Sequence, residues 1–314
     1  MRTSSKSRSL QLGLFASLFL AAAPLSAQPA PATWTSVDQA LGRAGTTQPD
    51  GVRRYGFPRS DLQVQLDGVT IKPALALGGW VAFQPMGTGS VVMGDLVLTP
   101  DEVNPVMSAL LAGGIHVTAV HNHLLRSVPQ TIYMHVRGQG DSARLAATLR
   151  SALALSRTPL AAPAAAAPQP ALDFDTAAID RIIGRQGKAN GGVYQFTIPR
   201  AEKIVEDGMP EPASMGTGTA INFQPFGAGK AAVTGDFVLL ASEVDPVMRA
   251  LRSGGIEVTA LHSHMFGEQP TLYFMHFWAV GSAAQLATAL RGAVDLTNVQ
   301  GRSGASSPKA QRGD

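Results

Sequence analysis

Cysteine is absent from the 314-residue chain, which excludes disulfides, thiolate metal sites and cysteine nucleophiles together. Any metal must therefore be held by imidazole and oxygen. Aromatic residues make up only 6%, whereas a polymer-binding module is expected to expose aromatics, which weighs against that reading without excluding it. Charged residues reach only 15%, and no block of lysine and arginine marks a nucleic-acid surface. No long apolar run follows the one at the amino terminus, so no stable membrane span is expected.

That first run has the order of an export signal. Arg2, Lys6 and Arg8 precede the apolar stretch Leu10–Ala23, and Pro24-Leu25-Ser26-Ala27 offers a small-residue cleavage site before Gln28. The stretch is shorter than the roughly 20 apolar residues of a membrane anchor. Residues 1–27 are expected to be cleaved, leaving a periplasmic or secreted chain, and with no cysteine after the apolar run lipidation is excluded. Losing three basic residues takes the formal charge from +3 to about zero, so the high isoelectric point belongs to the leader.

What is present is a repeat. Gly94-Asp95-Leu96-Val97-Leu98 recurs as Gly235-Asp236-Phe237-Val238-Leu239, and Glu102-Val103-Asn104-Pro105-Val106-Met107 as Glu243-Val244-Asp245-Pro246-Val247-Met248. Roughly half of the positions from Gly94 to Arg150 recur in this way, and Phe83-Gln84-Pro85 matches Phe223-Gln224-Pro225 with a one-residue shift. The chain divides into unit one, 34–155, a Pro/Ala linker, 156–171, unit two, 172–299, and a Gly/Ser/Lys/Arg-rich tail, 300–314, expected to be disordered.

Each unit reads as a short helix and an extended run, then β-β-α-β-β-α. The fold class expected is α+β, with two tandem homologous units, mainly antiparallel sheets and helices on one face. The middle helix is expected to start at Asn104 or Asp245 as N-cap with Pro105 or Pro246 following, or earlier through Thr99-x-x-Glu102 and Ser242-x-x-Asp245. A Gly-Gly pair closes it.

Six of the seven histidines fall at matched places, His121, His123 and His135 in one unit and His262, His264 and His276 in the other. Residues two apart on a strand share a face, about 6.5–7 Å apart along the chain. Ile256, Val258, Ala260, His262 and His264 are thus expected on one face, with His276 facing them from the next strand. Two His on one strand and one across a hairpin can supply three imidazole ligands, which suits Zn, Cu or Fe. Asp95 and Asp236, with Glu102 and Glu243, are the repeated acids able to complete such a site or to orient an imidazole. The same histidines could instead be hydrogen-bonded core residues or a metal-free acid–base pair, and the acids beside the helix start could be caps. His276 shares its expected face with Leu272, Phe274, Trp278 and Val280, and His135 with Thr131, Tyr133, Arg137 and Gln139. The second site is therefore expected to be enclosed and the first open to water. His116 falls on the opposite face. The Gly-rich turns at Gly87 and Gly227 lack the context of a phosphate loop, and no Gly-x-Ser-x-Gly elbow is present.

Through Gly-Asp-Phe-Val-Leu, Glu-Val-Asp-Pro-Val-Met, Gly-Gly-Ile-Glu-Val-Thr-Ala-Leu-His-Ser-His-Met and Leu-Tyr-Phe-Met-His-Phe-Trp, the chain resembles the LppY/LpqO family of exported bacterial proteins. The resemblance covers both repeats and implies an exported, duplicated α/β domain of unestablished biochemistry. It implies no substrate. The residues themselves point to an exported protein that binds a divalent transition metal at two His-x-His…His sites. A metal-dependent hydrolase or oxidoreductase acting on a small envelope substrate is the alternative, and a non-enzymatic module binding a cell-wall ligand the third.

Overall fold

The strand following each Gly-rich turn carries apolar residues on both faces, and a strand of that kind is stable only at the centre of a covered sheet. In the computed structural model, which describes residues 34–161 and 171–301, these strands are central. The expected leader, most of the linker and nearly all of the tail lie outside the described residues.

Unit one runs α1 (Trp34–Leu41), β1 (Thr46–Thr47), β2 (Arg53–Pro58), the small hairpin β3 (Gln65–Leu66) and β4 (Val69–Thr70), then α2 (Pro73–Ala76). It continues with β5 (Gly78–Met86), β6 (Gly89–Leu98), α3 (Pro100–Ala112), β7 (His116–His121), β8 (Ile132–Gly140) and α4 (Ser142–Leu153). Unit two repeats this order: α5 (Thr176–Ile183), β9 (Lys188–Asn190), β10 (Val193–Pro199), β11 (Val205–Glu206), β12 (Met209–Pro210) and a 3-10 turn at Ala213–Met215. It ends with β13 (Gly218–Pro225), β14 (Lys230–Leu239), α6 (Ala241–Ser253), β15 (Glu257–His262), β16 (Tyr273–Ser282) and α7 (Ala283–Val294). Each unit forms a six-stranded antiparallel sheet, in the orders β1-β2-β5-β6-β8-β7 and β9-β10-β13-β14-β16-β15.

One face of each sheet is covered by its own three long helices. Val106 and Leu110 of α3 and Leu145 and Leu149 of α4 pack on Phe83, Val92 and Val136 in unit one, and Val247, Leu251, Leu286 and Leu290 do the same in unit two. Helix α3 starts at Pro100, five residues before the Asn104-Pro105 start, because Glu102 reaches back to accept from the Thr99 N–H at 2.9 Å. In unit two the bond is Leu240 N–H to Glu243 at 2.8 Å, so the Ser242–Asp245 pairing is not the cap and Pro246 lies inside the helix. Both helices end at glycines in the left-handed region, Gly114 (φ 80°) and Gly255 (φ 73°), conformations costly to a residue with a Cβ.

The other face of each sheet is covered by the opposite unit. The segment with β3, β4 and α2 reaches over to Val193, Ala232 and Trp278 of sheet two, burying Val64, Val69, Ile71 and Leu75. Ile204 and Met215, from the equivalent segment of unit two, are buried with Ala82, Val91 and Met93 of sheet one. These exchanged arms carry no long apolar period, and the sequence did not reveal them. Their polar clamps fall on the repeated Phe-Gln-Pro motif: Gln84 donates to the Pro210 carbonyl at 2.9 Å, and Gln224 donates to Thr70 O and accepts from Lys72 N–H, both at 2.8 Å.

Candidate metal centre

The histidine strands do not alternate throughout. A β-bulge interrupts β7 between Val117 and Ala119 and β15 between Val258 and Ala260. One extra residue exchanges the faces beyond it. Ile256 and Val258 therefore pack into the helix-side core, whereas Ala260 and His262 turn to the opposite face. The expected five-residue face is broken at this point, and the break delivers the histidines to the site. At the bulge, the Thr259 hydroxyl donates to the carbonyl of His123 in the other unit at 2.6 Å, which ties the two edge strands together.

A row of directly paired residues then crosses each sheet. In sheet one it reads Gly56, Trp80, Asp95, His135 and Ala119, and in sheet two Thr197, Ala220, Asp236, His276 and Ala260. Aspartate and histidine are thereby neighbours on adjacent strands. The glycine before each aspartate has a steric reason: a Cβ on Gly235 would fall 1.9 Å from the Ala220 carbonyl oxygen, and one on Gly94 2.8 Å from that of Trp80. The Gly235 carbonyl also accepts from His276 Nδ1 at 2.9 Å, and the Gly94 carbonyl holds His135 in the same way. With Nδ1–H donating, Nε2 of each ring is the lone-pair nitrogen turned to the site.

The two sets of histidines do not form two separate sites. The six rings come together in three cross-unit stacks, His121 on His262 at 3.6 Å between centroids, His135 on His264 at 3.6 Å and His123 on His276 at 3.7 Å. His121, His135, His262 and His264 each present a nitrogen within 4.8 Å of the others, as do His121, His123 and His276. Asp95 with His123 and His135, and Asp236 with His264 and His276, make two further sets of the same compactness. Asp95 lies 3.8 Å from His123 and 3.9 Å from His135, and Asp236 3.6 Å from His264 and 3.8 Å from His276. The first three distances are too long for hydrogen bonds yet short enough for two ligands of one ion, whereas the fourth runs to His276 Nδ1, the nitrogen that donates to the Gly235 carbonyl. His262 and His264 stand 3.0 Å apart through their Nε2 atoms. The buried Nε2 atoms of His121, His123, His135 and His276, Nδ1 of His262 and one oxygen each of Asp95 and Asp236 have no hydrogen-bond partner among the described residues.

Burial sets the protonation of the cluster. It pushes His121 down to about 4 and His276 to about 3, and it lowers His262, while His123, His135 and His264 fall well below the usual imidazole range, burial leading and neighbouring rings adding to it. Burial raises Asp95 to about 8 against the opposing pull of Arg54, and Asp236 rises well above the carboxylate range through burial and the facing Asp95. The imidazoles are thereby held neutral with lone pairs free for a cation, whereas each raised carboxyl must release a proton to bind one. The two halves are equally enclosed, with His135 4% and His276 3% exposed, which corrects the expectation that the first would be open. Its polar neighbours are buried too: Tyr133 donates to the Ala76 carbonyl at 2.6 Å, and Arg137 pairs with Glu206 and Glu211 of the opposite arm, both at 2.7 Å.

Glu102 and Glu243 take no part in this cluster. Glu102 is held by Arg59 at 2.7 Å and by the N–H groups of Thr99 and Arg157, and Glu243 by Arg200 at 2.7 Å and those of Leu240 and Asn298. Each thus joins the helix start to the chain after the last helix, and the capping reading of these two acids is the one observed. His116 is exposed and stands apart.

A cavity of about 930 Å³ opens beside the cluster, lined by Asp95, His123 and His135 from sheet one and Asp236, His264 and His276 from sheet two. Its walls continue over Arg54, Trp80, Gln195 and Asn222. Among the described residues no helix is long and apolar enough to cross a membrane.

Fold and site together define a duplicated α+β protein built around one shared His/Asp cluster able to hold a metal ion. The chain belongs to the family described as Domain of Unknown Function (DUF1259), whose model matches twice, over residues 35–155 and 177–296. Among curated proteins none matches. Two solved structures are similar at a low level. One is the trimeric bacterial microcompartment shell protein PduB, at 12% identity and a TM-score of 0.21, covering 81% of this chain and 90% of that one. The other is EtuB from Clostridium kluyveri, at 11% and 0.19, covering 80% and 88%. TM-scores this low carry no functional argument.

Proposed function

We propose that this protein is an exported member of the LppY/LpqO type that binds a divalent transition metal, Zn, Cu or Fe, at a single composite centre. His121, His123, His135, His262, His264 and His276 supply the nitrogens, and Asp95 and Asp236 supply the oxygens. The observation that carries the reading is the convergence of buried ring nitrogens without partners from two units more than a hundred residues apart in sequence. Unpaired buried polar atoms are costly, and a cation would satisfy them together. Imidazole and carboxylate without thiolate select these metals over softer ones.

Elemental analysis of the protein taken from the envelope, followed by metal titration of the chelator-treated chain, tests the reading. Because ligands from both units enter each set, replacing His121 and His123 by Ala should lower the metal content of the whole centre, and so should replacing His262 and His264. Unchanged metal content in both variants would sink the proposal. Loss of one independent equivalent in each would restore two separate sites.

The cavity beside the cluster favours a second reading, a metal-dependent hydrolase or oxidoreductase acting on a small envelope molecule. A metal-dependent turnover of such a molecule, lost on chelation and restored by the metal, would separate this from storage or transport.

A further inference from the structure

The sheets that wall the cavity are repeats, yet its two walls are chemically unequal. Arg59 and Arg200 are equivalent, each gripping the glutamate at its helix start, so the matching places five residues before them are Arg54 and Gln195. Trp80 and Ala220 are matched through their pairing with Asp95 and Asp236. Unit one thus presents an arginine and a tryptophan where unit two presents a glutamine and an alanine.

Gln195 is closed within the protein: its amide donates to the Ala74 carbonyl at 2.8 Å and its oxygen accepts from Asn190 at 2.9 Å. Arg54 is not. Its guanidinium lies 3.9 Å over the Trp80 ring and donates to one carbonyl, that of Ser214, at 2.6 Å. Among the described residues no carboxylate forms an ion pair with it. Asp95 and Asp50 also line the cavity and act on it only through their fields. A guanidinium has five N–H donors and costs free energy when drawn from water without an anion. Stacking on an indole face fixes its plane and leaves its edge to the cavity.

We propose that the cavity binds a small organic carboxylate, its anionic group paired with Arg54 beside Trp80 and its body extending toward the His/Asp cluster. A volume of about 930 Å³ lies within the range of small-molecule sites. Strands β2, β5 and β6 are consecutive in the sheet, which puts Arg54 two strands from Asp95, roughly 10 Å. A planar carboxylate matches the fork of the guanidinium through two parallel hydrogen bonds, the geometry for which arginine is better suited than lysine. The anchor is independent of whether a metal occupies the cluster.

The test is calorimetric titration of the full chain with succinate and with benzoate, run in chelator and again after zinc loading. At least one acid should bind at one per chain. Arg54→Gln, which copies the other unit, should weaken it roughly tenfold to a hundredfold, the worth of a charged hydrogen-bonded pair, and Arg54→Lys should fall between. Zinc content of both variants should equal that of the wild type. No binding of either acid by the wild type, or equal binding by Arg54→Gln, overturns the proposal. If Arg54→Gln fails to fold, Arg54→Lys decides alone, and binding equal to the wild type overturns it. Carboxylate binding that depends on Arg54 in a chain that takes up no zinc supports the pocket while the metal reading falls.

Discussion

The two units agree where they face the cluster and differ where they face each other. Asp95 and His135 have Asp236 and His276 as counterparts in the same register, and Arg59–Glu102 has Arg200–Glu243. On the same face, however, Arg137 stands where unit two has Trp278, and Tyr133 where it has Phe274. Each of these contacts an exchanged arm. Arg137 meets Glu206 and Glu211, and Trp278 meets Asp67 with the apolar Val69 and Ile71. The duplication has thus kept one chemistry at the shared centre and built two at the clasps around it, one ionic and one apolar.

The clasps give the largest expected effects. Arg137→Met strands two buried carboxylates and should cost about 3–5 kcal/mol near neutral pH. Trp278→Ala opens a cavity and should cost about the same. What separates them is pH. Burial has already raised Glu206 and Glu211, and without Arg137 they should stay protonated to higher pH still. A carboxyl whose folded pKa is raised loses stability as pH rises. The penalty of Arg137→Met relative to wild type should therefore shrink from pH 7 to pH 5, and that of Trp278→Ala should not. Urea unfolding at both values decides, and parallel behaviour would break the comparison.

The shared centre should set the pH dependence of the metal-free chain. Its imidazoles titrate lower folded than unfolded, so between about 6.5 and the folded value of about 4 for His121 the unfolded chain binds more protons. Stability should fall as pH falls through that window. Asp95 acts oppositely: its folded value of about 8 means that stability is lost as pH rises from about 4 toward 8. Six imidazoles outweigh two carboxyls below 6.5, so unfolding in chelator should show greatest stability near pH 6.5 and a decline on either side. Metal loading should remove the decline on the alkaline side, because bound carboxylates are already deprotonated. A flat profile in chelator would show that the cluster is hydrated and open.

The smallest effect lies at Tyr133→Phe, which copies unit two. It removes one hydrogen bond to the Ala76 carbonyl and should cost about 1 kcal/mol with no change in metal content. A loss of metal would assign Tyr133 to the centre.

Much of the fold was legible from local pattern. The central strands and the long helices follow from apolar period, caps and the repeat, and those helices lie within a few residues of expectation outside the start of α3 and α6, whereas the short α2 was not expected. The six histidines come together, though on a face that the bulge sets and in one cluster rather than two, and Asp95 and Asp236 join them through cross-strand pairing with His135 and His276, which the sequence reading did not use. The bulges themselves were hidden, because Val117-Thr118-Ala119 and Val258-Thr259-Ala260 read as regular strand and only tertiary contact decides which residue is the extra one. The merging of the two sites was hidden for a related reason. It depends on the arms, whose short strands and turns have no period to detect. The repeated Gln84 and Gln224 were the available signal, since a polar residue recurring between Phe and Pro in buried strands needs a partner that its own unit does not supply.

The exchanged arms also govern when the centre can exist. Asp67 and Trp278 are 211 residues apart, and the three closest stacked pairs of histidines each join one unit to the other. Contacts of such separation form late, after the loop between them has been closed. A chain emerging amino terminus first reaches His121, His123 and His135 well before their partners, and until His262 is in place no stack can form. The cluster is therefore a record of nearly finished synthesis: a chain truncated before His262 retains half of the clustered histidines and none of the cross-unit pairs.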